Sequence, residues 1–136
     1  MASSAARRNL CGQVVFDLGC RILSGDVAPG DPLQEWTLCG EMGVSRTVVR
    51  EAIKSLAAKG LVESRAKRGT IVLPSRAWNY LDPDVLDWQS RADVDGRHLI
   101  HLTELRQTIE PAAAALAAER ASEDELKLIS EACEEM

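Results

Sequence analysis

The segment GVSRTVVREAIK, residues 43–54, constrains the fold more than any other part of the chain. On a helical wheel of about 100° per residue, it separates a polar arc from an apolar one. The polar arc contains Arg46, Thr47, Arg50 and Lys54, and the opposite arc contains Val49, Ala52, Ile53 and Leu56. Ser45 stands at the N-cap position, and Gly43 tolerates the positive φ of a tight corner between helices. The segment predicts a helix-turn-helix with an exposed basic face, although an ordinary amphipathic helix with a solvated basic side has the same spacing.

A basic hairpin is predicted directly behind this helix. Lys59 and Gly60 favour a helix end, and residues 61–65 and 70–73 have the composition of two short strands joined by residues 66–69. Such a hairpin is the wing of a winged helix-turn-helix unit, which can contact phosphates or enter the minor groove. Since a recognition helix meets the major groove with its N-terminal residues, the two elements together predict DNA binding.

The candidate DNA-binding residues lie on these two elements. We expect Arg46 and Arg50 to contact bases or phosphates in the major groove, because a guanidinium can donate two hydrogen bonds to one guanine. The other candidates are Ser45, Thr47 and Lys54 for positioning against the DNA backbone, and Lys67, Arg68 and Gly69 for the wing.

Residues 43–73 closely resemble the GntR family of bacterial transcriptional regulators, in particular its FadR-like branch. The similarity is carried by VSRTVVREAIK, by AKGLVESR and by the RGT of the wing. Residues 22–31 are similar to the end of the family's first helix and its Pro-Gly turn, and residues 78–88 and 102–111 resemble the linker and opening helix of its FCD-type effector domain. The resemblance implies a mainly α fold with a small β-hairpin, in which a winged helix-turn-helix domain precedes the first helices of an all-α effector-binding bundle.

The resemblance also implies a function. It suggests a ligand-responsive repressor of genes for carbohydrate, sugar-acid or other carboxylate catabolism, which binds a palindromic double-stranded DNA operator as a homodimer. Arg106 matches an arginine that in many members binds an effector carboxylate, but a surface ion pair with Glu110 at i+4 explains it equally well. The family's metal site and most of its ligand pocket come from later helices. We therefore expect no cofactor within this chain, whereas a full-length relative can hold a divalent metal.

We expect three parts along the chain: residues 8–75 as the winged helix-turn-helix domain, 76–96 as a linker with a short helix, and 97–136 as a truncated N-terminal part of the effector domain. Helices are predicted at 9–24, 35–42, 84–92 and 97–121, and a capping box at Ser122 and Glu125 opens the last one. Pro111 is expected to kink the long helix. Because the final helix stops at Met136 in mid-pattern, the chain is expected to be a fragment, and dimerisation depends on the missing helices.

The second predicted helix departs from the family pattern. Members usually carry Leu-Pro-x-Glu-x-x-Leu here, whereas residues 33–39 lack the proline and are one residue short. Trp36 and Thr37 occupy the region where many members place a charged residue against the DNA backbone. We expect a misplaced N-terminus of this helix and a lost phosphate contact, which lowers affinity more than specificity. An exposed Trp36 would be an unusual surface feature.

Charge divides the chain at the same place as the motifs. Residues 1–76 carry eleven Lys and Arg against seven Asp and Glu, and residues 77–136 carry five against fourteen. The net charge of −5 therefore combines a basic N-terminal part with an acidic C-terminal part. Only the N-terminal part suits a polyanionic partner.

Other residues indicate neither catalysis nor a membrane. The four cysteines form no C-x-x-C pair, and the sequence has no signal peptide or membrane-spanning run, which predicts a reduced, cytoplasmic protein. His98 and His101 have no third ligand at metal spacing, and there is no Ser-His pairing or glycine-rich phosphate loop. We therefore expect no enzyme. The remaining alternative to a regulator is a truncated winged-helix remnant or a protein-interaction module without operator binding.

Overall fold

The structure is a computed structural model that describes residues 4–92 and 96–135, and its contacts divide the chain into two units, residues 1–95 and 96–136. The first unit contains α1 (Ser4–Ser24), β1 (Pro32–Leu33), α2 (Glu35–Met42), α3 (Arg46–Ala58), β2 (Val62–Arg65), β3 (Gly69–Val72), a short 3-10 turn (Ser75–Ala77) and α4 (Pro83–Ala92). The second unit contains α5 (Arg97–Arg120) and α6 (Glu123–Glu134). The predicted fold class is confirmed, while the finer division at residue 75 stays a prediction.

Helix α3 forms where the amphipathic spacing predicts it. The Ser45 hydroxyl accepts a hydrogen bond from the Val48 backbone N–H at 3.4 Å, and Gly43 adopts a φ of 64° at the corner between α2 and α3. The predicted apolar arc is buried in full: Val49, Ala52, Ile53 and Leu56. One side of α3 is thus fixed in the core, and its polar side faces outward.

The wing strands β2 and β3 form the expected hairpin, but they belong to a three-stranded antiparallel sheet of order β1-β3-β2. The sequence does not predict the third strand, β1. In the additional strand, Leu33 of β1 pairs with Thr70 of β3. Two residues are too few to show the alternation by which a strand is recognised in a sequence. The Gly30 backbone N–H donates to the Val72 carbonyl at 2.8 Å, which joins the loop after α1 to the base of the wing.

Helix α4, expected as part of a linker, packs against the core of the first unit. Its Val85 and Trp88 are buried in the same cluster as Leu18 of α1 and Leu56 of α3. A Cβ atom on Gly19 would lie 2.4 Å from Cε3 of Trp88, so the absence of a side chain at Gly19 lets the indole lie against α1. Helix α4 is therefore part of the structural core that supports α3.

The second unit follows the predicted helical pattern. Helix α5 runs as one element with Pro111 inside it, so a kink at Pro111 stays a prediction. The capping box is present: Ser122 Oγ accepts from the Glu125 backbone N–H, and the Glu125 carboxylate accepts from the Ser122 backbone N–H at 2.8 Å. Neither α5 nor α6, both described throughout, has a buried residue. Their large exposed apolar side chains are Leu99, Ile100, Leu105, Ile109, Leu116, Leu126, Leu128 and Ile129.

Candidate nucleic-acid interface

Helix α3 presents the predicted basic residues on one exposed face. The side chains of Arg46, Arg50 and Lys54 are 69, 59 and 73 % exposed, respectively. Ser45 and Thr47 are also exposed at the start of the helix. Because the first turn of a helix also carries unpaired N–H groups and the positive end of its dipole, this face suits a polyanion. The two arginines predicted for the major groove and the three residues predicted to position the helix on the DNA backbone are therefore all exposed on α3 or at its start.

Glu35, the first residue of α2, adds a carboxylate that the sequence pattern did not indicate. Arg50 Nε donates a hydrogen bond to Glu35 Oε2 at 2.9 Å, and Arg46 Nη2 lies 3.6 Å from the same oxygen. Lys54, one turn beyond Arg50, instead pairs with Glu51 of its own helix at 2.8 Å. The i,i+3 spacing of the second pair is visible in a sequence. Contact between Glu35 and Arg50 requires the folding of α2 against α3.

The wing presents Lys67 and Arg68 in an exposed turn between β2 and β3, and the exposed Gly69 is the first residue of β3. Lys67 has a φ of 66°, in the left-handed region that side chains other than glycine seldom adopt. Gly69 follows with a φ of 71°, and the Arg68 backbone N–H donates to the Arg65 carbonyl at 3.2 Å, closing the turn. The two cationic side chains are therefore held at the tip of the wing, beyond the paired strands.

Trp36 and Thr37 follow Glu35 on α2. Trp36 is 72 % exposed, and Thr37 is half-buried. Helix α2 nevertheless covers the predicted residues, Glu35–Met42, and its buried Leu38 anchors it to the core. The lost phosphate contact and the misplacement relative to other members stay predictions.

The C-terminal end of α3 is fixed by an ion-pair cluster and is not part of the reading face. Lys59 Nζ donates to Asp82 Oδ1 at 2.9 Å and to Asp84 Oδ2 at 2.7 Å, and the Lys59 side chain is only 14 % exposed. Burial acts to lower the pKa of Lys59, but the hydrogen bonds from its ammonium to Asp84 and Asp82 outweigh burial and raise it. The Lys59 carbonyl also accepts from the Asn79 backbone N–H at 2.9 Å. These bonds join α3 to the segment that leads into α4.

Arg106, the predicted effector-binding residue, forms the ion pair that was its alternative explanation. Arg106 Nε donates to Glu110 Oε1 at 2.6 Å on α5, and both side chains are more than half exposed. The hydrogen bond to Glu110 raises the pKa of Arg106, which keeps its guanidinium charged. The ion pair leaves an effector role untested, and that role stays a prediction.

The His, Cys, Asp and Glu side chains of residues 4–92 and 96–135 show whether the described part of the chain has a candidate metal site. Within these ranges no group of three or more His, Cys, Asp and Glu side chains is placed to hold a metal ion. No helix in the described part of the chain is long and apolar enough to cross a membrane. The four cysteines are free thiols, and burial raises the pKa of Cys11 and of Cys20.

A capped recognition helix, a preceding short helix and a basic wing define a winged helix-turn-helix protein. The family model for "Bacterial regulatory proteins, gntR family" matches residues 10–72, and that for the "FCD domain" matches residues 101–136. Residues 10–72 therefore belong to the gntR family of bacterial regulatory proteins. The resemblance stated from the sequence, with an FCD-type domain after the winged helix, is thereby confirmed.

The chain is also similar to individual proteins. The chain is 43 % identical over 129 residues to the galactonate operon transcriptional repressor of Escherichia coli, a match that covers 94 % of this chain and 56 % of that protein. It is 42 % identical over 115 residues to the uncharacterized HTH-type transcriptional regulator YieP of Escherichia coli, covering 84 % and 50 %. A solved structure of Streptococcus agalactiae GntR matches with 30 % identity, coverage of 89 % and 56 %, and a TM-score of 0.45. The chain thus spans about half the length of the curated relatives it matches.

Proposed function

We propose that this chain is a transcriptional regulator that binds a specific double-stranded DNA operator through α3 and its wing. The observation that carries the proposal is the exposed cationic N-terminal face of α3, whose opposite side is buried. Arg46 and Arg50 contact bases or phosphates in the major groove. Ser45, Thr47 and Lys54 position the helix on the backbone, and Lys67, Arg68 and Gly69 form the wing contact.

The proposal extends to regulation, by analogy with the named relative. A repressor of galactonate genes is similar over most of this chain, which supports repression relieved by a sugar acid or another small carboxylate. Arg106 is the candidate ligand for the effector carboxylate, since a guanidinium can bind it through two parallel hydrogen bonds. We further propose a homodimer on a palindromic operator, action in the cytoplasm and no enzymatic activity.

The test is a fluorescence-anisotropy titration of the 136-residue chain with two duplexes at two salt concentrations. One duplex carries the DNA upstream of the chain's own gene, and the other is its scrambled sequence. We expect tighter binding to the native duplex, with a log affinity that falls steeply with log salt because phosphate contacts release counterions. Equal weak binding to both duplexes would contradict sequence-specific recognition and favour a remnant or a protein-interaction module.

Arg50→Ala is the decisive variant. Loss of a bidentate contact to guanine costs about 1–3 kcal/mol, which is roughly a fivefold to 150-fold loss of affinity for the native duplex. Arg106→Ala is the matched control, because it removes the same group from a comparable exposed ion pair outside the winged helix. Unchanged DNA binding by a folded Arg50→Ala protein would exclude α3 as the reading helix.

A further inference from the structure

Two candidate DNA-reading arginines share one carboxylate oxygen. Glu35 Oε2 accepts from Arg50 Nε at 2.9 Å and lies 3.6 Å from Arg46 Nη2. The Glu35 side chain is 30 % exposed, half as much as the Arg50 side chain. The Glu35 side chain is therefore more shielded from solvent than the two arginine side chains beside it.

The backbone fixes the place of this carboxylate. Glu35 opens α2 shortly after Leu33, which is buried and paired in the sheet, and Leu38 one turn later is buried in the core. Gly43 ends the helix with a left-handed conformation that sets the angle toward α3. A carboxylate in the first turn also interacts favourably with the helix dipole. Glu35 is thus anchored on a rigid element, whereas the arginines reach it on long, flexible side chains.

The atom through which Arg50 binds matters for recognition. Its bond to Glu35 uses Nε, while a bidentate contact to guanine O6 and N7 can use the two terminal nitrogens. Fixing Nε therefore orients the guanidinium plane without consuming those donors. The bond to Glu35 also restricts the Arg50 side chain before DNA binds, so less conformational entropy is lost on binding. An exposed ion pair of this kind adds little to folding stability, so its effect on recognition is the informative one.

We propose that Glu35 is a positioning residue that sets operator specificity by holding Arg50 in a base-reading orientation. This inference rests on the proposed DNA-binding function. A second expected effect follows from its charge: a carboxylate beside the arginines repels phosphate, so it weakens binding to every sequence. Glu35 accordingly raises the ratio of native to scrambled affinity while lowering nonspecific affinity.

The experiment compares Glu35→Ala with Glu51→Ala in the full 136-residue chain. Glu51 is the matched control, because it also pairs with a cation of the reading face and its removal changes the net charge equally. Both variants are expected to bind the scrambled duplex more tightly than the native protein. Only Glu35→Ala is expected to lower the ratio of native to scrambled affinity, by at least about threefold, since a misdirected arginine loses part of a base contact.

Glu35→Gln and Glu51→Gln form a second pair that preserves side-chain size. The amide oxygen introduced by Glu35→Gln can still accept from Arg50 Nε, so this variant should retain more of the affinity ratio than Glu35→Ala despite the same change in charge. Thermal unfolding of each variant checks that the fold is intact, and the glutamine pair decides the question if Glu35→Ala is unfolded.

The outcomes separate the two proposals. If the native chain prefers its own duplex and the Glu35 and Glu51 variants have equal affinity ratios, the positioning role is overturned while DNA recognition stands. If the native chain shows no preference between duplexes, the proposed function fails and the positioning role fails with it. A selective fall in the ratio for the Glu35 variants supports both.

Discussion

The packing of α4 against α1 can be tested with two glycines of α1, Gly19 and Gly12. A Cβ on Gly19 would lie 2.4, 2.5 and 2.9 Å from three ring atoms of Trp88, distances at which the indole or the backbone must shift. A Cβ on Gly12 would meet nothing within 4 Å. Gly19→Ala is therefore expected to loosen the packing of α4 on α1, and Gly12→Ala is not.

The magnitudes follow from two opposing terms. Replacing glycine with alanine inside a helix stabilises it by about 1 kcal/mol, and this gain applies to both variants. Overpacking a core contact costs about 1–3 kcal/mol, and this cost applies only at Gly19. With three ring atoms in conflict, the cost belongs in the upper part of that range. We expect Gly12→Ala to raise the free energy of unfolding by about 1 kcal/mol and Gly19→Ala to lower it by about 1–2 kcal/mol.

Urea unfolding followed by tryptophan fluorescence measures both changes. The buried Trp88 reports directly on the contact between α1 and α4, and the difference between the variants isolates the overpacking term because the helix term cancels. A difference of this size corresponds to a separation of at least about 4 °C between the two melting temperatures. If Gly19→Ala stabilises the protein as much as Gly12→Ala does, the close approach of Trp88 to α1 is refuted.

Two further predictions concern α2 and the start of α4. Trp36→Lys should strengthen binding to both duplexes and steepen the slope of log affinity against log salt by about 0.9, because it adds one phosphate contact. The neutral variant Trp36→Gln should leave the slope unchanged. An unchanged slope for Trp36→Lys would contradict the expected loss of a phosphate contact at this position. Asp82→Asn should lower the free energy of unfolding at pH 7 by about 1 kcal/mol, because it keeps an N-cap acceptor for α4 but loses the charge that pairs with Lys59. Burial acts to raise the pKa of Asp82, but the Lys59 ammonium and the Val85 and Asp84 N–H groups lower it overall. The stability that the Asp82 charge contributes is therefore present above the unfolded pKa of about 3.9 and is lost as the pH falls below it. Acid titration of unfolding should therefore show the stabilities of the unmodified protein and the variant converging as the pH falls below about 4 and through the lower pKa of folded Asp82, and a difference that does not diminish over this range would refute the assignment.

Much of the winged helix could be predicted because its signals are local. The arcs of α3, the Ser45 cap and the glycine corner all lie within a few turns of one helix, and the wing needs only two short strands and a turn. Strand β1 could not be predicted, since its two residues acquire meaning only when Leu33 pairs with Thr70. The packing of Trp88 on Gly19 joins residues far apart in the sequence, and no periodicity in either helix encodes that pairing.

At both ends of α3, the position of the basic residue could be predicted from the sequence, but its carboxylate partner could not. Arg46 and Arg50 could be predicted because a single helix sets their spacing, but their shared partner Glu35 lies 15 residues before Arg50 on another helix. At the other end, Lys59 bonds to Asp82, 23 residues later, which no local pattern reveals. Each end is thus held by a carboxylate from a distant segment, yet with opposite consequences. The bonds at Lys59 bury a cation to fix the helix, whereas the bond at Arg50 leaves its guanidinium exposed, so only the N-terminal pair can act on DNA.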